Sequence, residues 1–152
     1  AITLGTMDGA NIEIAQFAGK ENCVTFGLSS EEVISYYANG GYNPWDIYNN
    51  DIRVKKILDS LFNGPWTDGR PDRFRSIFDE IMYKNDTYFI LKDFDAYVKA
   101  QEQIEQKYKD RNNWAKSCLI NIATSGYFSS DRTIREYVKD IWHLDPLDTK
   151  QQ

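Results

Sequence analysis

The sequence predicts an α/β chain: one βαβ unit, the edge of a larger parallel sheet, followed by a region that is helical almost throughout. Two patterns carry that reading. Residues 1–28 hold two short apolar runs, Ile2 to Leu4 and Cys23-Val24-Thr25-Phe26, separated by a helix-periodic segment. From Ser29 onward apolar residues instead recur at the i, i+3, i+4, i+7 spacing of buried helix faces. Parallel strands joined by a helical crossover need further strands and covering helices, so these two are expected to form one side of a doubly wound sheet whose remainder lies upstream.

Taken in order, Ala10, Ile14, Phe17 and Ala18 share one face of a helix that Gly19 ends, and Gly27 closes the second strand. Ser30 is the expected N-cap of a helix carrying Val33, Ile34 and Tyr37, which stops at Gly40-Gly41. The next helix places Val54, Ile57, Leu58, Leu61 and Phe62 on one stripe, and Asn63-Gly64-Pro65 ends it. Another, with Pro71 near its first turn, repeats the pattern with Phe74, Ile77, Phe78, Ile81 and Met82. Tyr88-Phe89-Ile90-Leu91 fits a strand or a buried extended connector, and periodicity does not separate the two.

A long helix then presents Phe94, Tyr97, Val98, Ile104 and Tyr108, and a further one presents Trp114, Cys118, Leu119 and Ile122 before Gly126. The last helix gathers Ile134, Tyr137, Val138, Ile141 and Trp142 on one face, with Asp131 four residues ahead of Arg135 for a favourable pair. The whole is read as a single partial domain over 1–152: the βαβ edge at 1–28, the helical region at 29–144 and a loose tail at 145–152.

Composition narrows the partners. A net charge of -5 with interspersed signs offers no cationic surface for nucleic acid. No apolar run approaches the roughly 20 residues that span a bilayer, and no secretory leader opens the chain, so the expectation is no membrane and a cytoplasmic location. Cys23 and Cys118 lie in apolar patterns and read as buried free thiols. His143, the single histidine, has no second metal ligand or nucleophile beside it in sequence, and no metal site is expected. Asn85-Asp86-Thr87 matches a glycosylation sequon but reads as an ordinary turn.

No constellation of catalytic residues emerges. Gly5-Thr6-Met7-Asp8-Gly9 fits neither phosphate-binding spacing, and Asp8 is read as a helix cap accepting backbone N–H groups. Glu31 and Glu32, like Asp93 and Asp95, suit helix starts, where the dipole favours carboxylates. Tyr36, Tyr37, Tyr42, Trp45 and Tyr48 fit either core packing or stacking on a sugar face. Ser129 or Ser130 caps the final helix with Asp131 in its first turn, and Arg132 pairs with a distant anion or stays on the surface. Catalytic, cofactor-binding and metal residues are therefore all read as none.

Four patches in order, Leu4-Gly5-Thr6-Met7-Asp8-Gly9-Ala10-Asn11, Gly41-Tyr42-Asn43, Asn121-Ile122-Ala123-Thr124-Ser125-Gly126 and Phe128 through Ile134, resemble the C-terminal part of the α-glucan (glycogen) phosphorylases, while Asn63 to Arg70 departs from the family pattern. The resemblance implies the end of a Rossmann-like domain of GT-B type. It implies a cytoplasmic, homodimeric parent glycosyltransferase that uses pyridoxal phosphate to release glucose 1-phosphate from α-1,4-glucans and phosphate. The family's cofactor lysine lies just upstream of the opening strand, in a motif this sequence lacks. None of Lys20, Lys55, Lys56 or Lys84 has that context. The fragment alone is thus expected to bind no cofactor, to be inactive, to use Ser130 to Trp142 as a strut toward the remainder of the polypeptide, and to self-associate or be unstable without it.

Other readings stay open from the residues. One is a non-catalytic helical module binding a partner or a glucan through the aromatics near Tyr36 to Tyr48. Another is a piece of a nucleotide-sugar glycosyltransferase, which the absence of a basic diphosphate site disfavours.

Overall fold

A computed structural model describes residues 1–145, so the tail expected from Pro146 lies outside the described residues. The chain forms β1 (Thr3–Thr6), α1 (Ala10–Ala18), β2 (Cys23–Phe26), α2 (Ser30–Asn39), α3 (Pro44–Asn50), α4 (Ile52–Asn63), α5 (Arg75–Met82), α6 (Phe94–Lys109), α7 (Arg111–Thr124) and α8 (Ser130–Glu136). β1 and β2 pair in parallel, with Thr3 opposite Cys23 and Thr6 opposite Phe26. Among the described residues no third strand joins them. The expected βαβ unit is present, with β1 one residue later than the apolar run suggests.

Helix α1 lies close over this pair because its inward residues are small. Ala15 and Ala18 are buried against Cys23, with Ile14 and Ile120 of α7 beside them. On the other flank α6 packs along β2, bringing the Phe26 and Tyr97 rings to 5.3 Å. The larger core lies in the helical region. Val54 and Leu58 of α4 meet Phe78 and Met82 of α5 and Leu91, with Trp45, Tyr48, Phe62 and Phe94 around them. Each large aliphatic or aromatic side chain removed from water there contributes about 1.5–3 kcal/mol.

Several expectations change. The cap of α2 is Ser29, not Ser30: its hydroxyl accepts the Glu32 N–H while the Glu32 carboxylate accepts the Ser29 N–H, a reciprocal box that Ser30 cannot make from inside the helix. Pro71 precedes α5 in a separate turn, because the helix starts only at Arg75. Helix α3 escapes the periodicity reading: at seven residues it is too short to show a stripe, and the Asn43 side chain, Pro44 and the shared boundary residue Asp51 define it instead.

Tyr88 to Leu91 is neither strand nor extended. It is a turn in which Phe89, at φ 55°, and Leu91 are buried while Tyr88 and Ile90 face out. The last helix also breaks. After Glu136 the chain winds as a π-turn over Tyr137–Ile141, where the Trp142 N–H donates to Tyr137 O at 2.8 Å and the two rings stack at 5.9 Å. The expected Asp131–Arg135 pair is replaced by Arg132 with Glu136, since Arg132 also donates to the Tyr127 carbonyl and lies over the Tyr127 ring.

Candidate functional site

In open α/β sheets ligands bind beyond the carboxyl ends of the parallel strands, so the turns after β1 and β2 locate the first candidate site. The turn after β1 is built by Thr6, whose hydroxyl donates to Asp8 Oδ1 at 2.7 Å, and by Asn11, whose amide donates to the Thr6 carbonyl at 3.1 Å. A Cβ at Gly5 would sit 2.4 Å from that Asn11 amide and push it off the Thr6 carbonyl. The turn after β2 is held by Asp93, which accepts the Leu28 N–H at 2.9 Å. Gly27 is in the left-handed region at φ 90°, and a Cβ on it would lie 2.4 Å from the Asp93 carboxylate.

Between the two turns and the Tyr88–Leu91 turn opens a cleft of about 400 Å³. Its apolar wall includes Leu28, Val33, Ile34 and Phe89, and its polar groups include Thr6, Asp8, Ser30 and Asp93. No lysine, arginine or histidine lines it, so no cationic side chain is there to meet an anion. Burial raises the Asp93 carboxyl above its ordinary value, the Leu28 N–H opposes that rise, and the neighbouring charges of Asp86 and Glu32 add to it.

Behind the cleft Asp86 is 2% exposed. Its carboxylate accepts Tyr42 Oη at 2.6 Å, Ile90 N–H at 3.0 Å and Leu91 N–H at 2.8 Å. Burial and the Asp86 carboxylate push the Tyr42 phenol well above its usual range. Asp86 falls in the sequon-like turn, where Asn85 and Asp86 both have positive φ. Sequence reasoning took that turn as ordinary and missed the buried acceptor. No local pattern signals it: its N–H donors lie four and five residues on, beyond the two-residue reach of an Asx turn, and Tyr42 lies 44 residues earlier.

The structure separates the other singled-out residues. The Asp8 side chain accepts the Thr6 hydroxyl and not a backbone N–H: the N-cap residue of α1 is Gly9, which has no side chain to cap with, and this corrects the helix-cap reading. Asp93 likewise turns to Leu28 instead of capping α6, while Asp95 pairs with Arg53 at 2.6 Å. Tyr36, Tyr37 and Tyr42 close on Phe89 at 5.1–5.5 Å, and Trp45 packs edge-on to Tyr48, Phe78 and Tyr83. These rings pack on one another, while Tyr37 keeps 66% of its surface exposed. Ser129 is the N-cap residue of α8, and its side chain makes no capping bond.

Cys23 is buried and Cys118 half-buried, both free thiols as expected, and burial raises the Cys23 thiol. His143 is exposed, with Nδ1 2.9 Å from the Lys139 carbonyl. Among the described residues no cluster of His, Cys, Asp and Glu could hold a metal, and no helix is long and apolar enough to cross a membrane.

A second polar node ties the far end of the sheet to α7. Asn121 donates to the Asn22 carbonyl at 2.8 Å and the Ser117 carbonyl at 2.9 Å, and its Oδ1 accepts the Thr3 hydroxyl at 3.3 Å. Ser117 in turn donates to Asn22 Oδ1 at 2.7 Å. One amide thus fixes β1, the entry to β2 and α7.

Comparison with known proteins places this framework. Residues 1–144 match the family profile described as carbohydrate phosphorylase. The chain is 51% identical over 147 residues to glycogen phosphorylase of Bacillus subtilis (strain 168), covering 97% of this chain and 18% of that enzyme. It is 45% identical over 147 residues to glycogen phosphorylase of Synechocystis, covering 97% of this chain and 17% of the relative. To the brain form of human glycogen phosphorylase it is 40% identical over 148 residues, again 97% of this chain and 17% of the relative. The chain therefore spans less than a fifth of the length of these relatives.

Proposed function

The chain belongs to the carbohydrate phosphorylase family, and on that premise we propose that it is a segment, the C-terminal one by resemblance, of a longer cytoplasmic α-glucan phosphorylase that releases glucose 1-phosphate from α-1,4-glucans. The observation that carries this reading is identity of 51% across 97% of the chain to a glycogen phosphorylase. Within the parent, this segment supplies framework and no reacting group. The two-stranded sheet would find its remaining strands, and the exposed apolar residues of α8 their cover, in the rest of the polypeptide and in a homodimeric assembly.

Pyridoxal phosphate, which the family implies, finds no fitting anchor here. A Schiff-base lysine needs a desolvated amine, and among the described residues no lysine is buried. Lys55 is half-buried and donates to Tyr48 Oη at 3.0 Å, Lys107 donates to the Glu21 carbonyl at 2.8 Å, and Lys84 pairs with Glu80. The cofactor's chemistry, proton exchange between cofactor phosphate and substrate phosphate, belongs to the upstream polypeptide.

The test compares the full-length polypeptide with residues 1–152 alone in a phosphorolysis assay on maltodextrin. Glucose 1-phosphate is expected from the first and none from the second. Turnover by the 152 residues alone would refute the framework role, and an inactive full-length polypeptide would refute the enzyme reading.

A further inference from the structure

We propose that the groove where the α6–α7 corner meets the entry to β2 is a binding site for a neutral sugar ring. The groove encloses about 540 Å³, within the roughly 300–1,000 Å³ of small-molecule sites. It lies at the end of the sheet opposite the cleft beside Asp93. Its apolar wall is Trp114, half-buried and held edge-on to Tyr108 at 5.0 Å, with the Arg111 guanidinium stacked on the other ring at 3.6 Å. That clamp fixes the indole plane before any ligand arrives, and a fixed indole is the surface on which the C–H face of a pyranose packs.

The floor is polar and already satisfied. Asn22 is buried, donates to the Ala18 carbonyl at 2.7 Å and accepts the Ser117 hydroxyl, so it makes no demand on a ligand. The rim carries free capacity. Among the described residues the Gln106 amide N–H₂ donates to no protein group, and Asn113 donates to Asp110 Oδ2 at 2.6 Å while its Oδ1 accepts nothing. Planar amides offering donors and acceptors beside an aromatic wall match the alternating hydroxyls of a sugar. Glu21 and Asp110 are offset by Lys107 and Lys116 around the same groove, so it favours neither an anion nor a cation.

Trp114 also walls a neighbouring groove of about 470 Å³ that includes Tyr97, Gln101 and Tyr108. The indole thus borders both grooves. The neutral-sugar class rests on the groove itself, and the choice of an α-1,4-linked glucan rests on the phosphorylase reading above.

The probe is maltoheptaose added to the full-length polypeptide, and the readout is amide hydrogen exchange in segment 106–117. Saturation is expected to slow exchange there. Trp114→Ala should raise the half-protecting concentration about tenfold and Gln106→Ala about threefold, with phosphorolysis unchanged in both. Wild-type exchange that does not respond to maltoheptaose overturns the site, whatever the enzyme's activity. Protection that persists unaltered in both variants overturns it as well. Should Trp114→Ala fail to fold, Gln106→Ala decides alone. Protection in a polypeptide without phosphorolysis would sink the enzyme reading and leave the site standing.

Discussion

Tyr42 donates its hydroxyl to the buried carboxylate of Asp86 at 2.6 Å, tying the corner after α2 to the turn that leads into α6. The same carboxylate takes two backbone N–H groups, from Ile90 and Leu91. Positive φ at Asn85, Asp86 and Phe89 curls the backbone around it. A buried anion with three donors is stable where the same anion with two or none is costly.

Removing the phenol oxygen should therefore destabilise the fold without changing its shape. Tyr42→Phe is expected to lower the unfolding free energy by about 1–2 kcal/mol, and Asp86→Ala, which orphans the buried Leu91 amide, the part-buried Ile90 amide and the hydroxyl together, by about 3 kcal/mol. Urea denaturation followed by fluorescence measures both. A Tyr42→Phe midpoint equal to wild type would show that the hydroxyl holds nothing.

Asp93 makes stability fall with rising pH. Burial holds its folded carboxyl above the ordinary 3.8, so the native state binds the proton more tightly than the unfolded chain. Its contribution is fully present below the unfolded value and is lost as pH rises through the folded one. Asp93→Asn keeps an acceptor for Leu28 and removes the titration, so its stability relative to wild type should increase from pH 3.5 upward. A difference that stays flat over that interval contradicts the assignment.

Asn121 is expected to behave as a keystone of the sheet end. Asn121→Ala removes the donor to two carbonyls and the acceptor of the Thr3 hydroxyl, and should cost about 1–3 kcal/mol. Asn121→Asp should be comparably damaging, because a carboxylate cannot donate to the Asn22 or Ser117 carbonyl. Thermal unfolding distinguishes this from a surface position, where both variants would melt with wild type.

Trp45 separates packing from sugar binding. Its ring fills the space between Tyr48, Phe78 and Tyr83, so Trp45→Ala should destabilise by about 3 kcal/mol. Glucan retention in affinity electrophoresis should not change. Loss of retention with the melting point preserved would restore the sugar-stacking role for this cluster.

Much of the fold was legible where periodicity and punctuation agree. The βαβ unit, α4 with Val54 and Leu58, and the α6–α7 pair follow directly from spacing and glycines. What spacing does not encode is whether a stripe finds a partner within the chain. Ile34 and Tyr37 of α2, Leu119 and Ile122 of α7, and Ile134 of α8 repeat with helical period, yet all remain largely exposed. The polar nodes at Asp86 and Asn121 were illegible for a different reason: each joins residues far apart in sequence, and a side chain's distant acceptors leave no local pattern. Asp93 looked like a helix cap because its position before α6 is that of a cap, but Leu28, 65 residues earlier, claims its carboxylate.

The surplus residue wound into Tyr137–Ile141 has one more result. It turns Trp142 back by about 100° relative to a regular helix. The indole thereby settles over the Tyr137 ring and rejoins the flank that Ile134 begins. Rewound as ordinary α-helix, the same residues would carry Trp142 around the barrel of the helix and part the two rings.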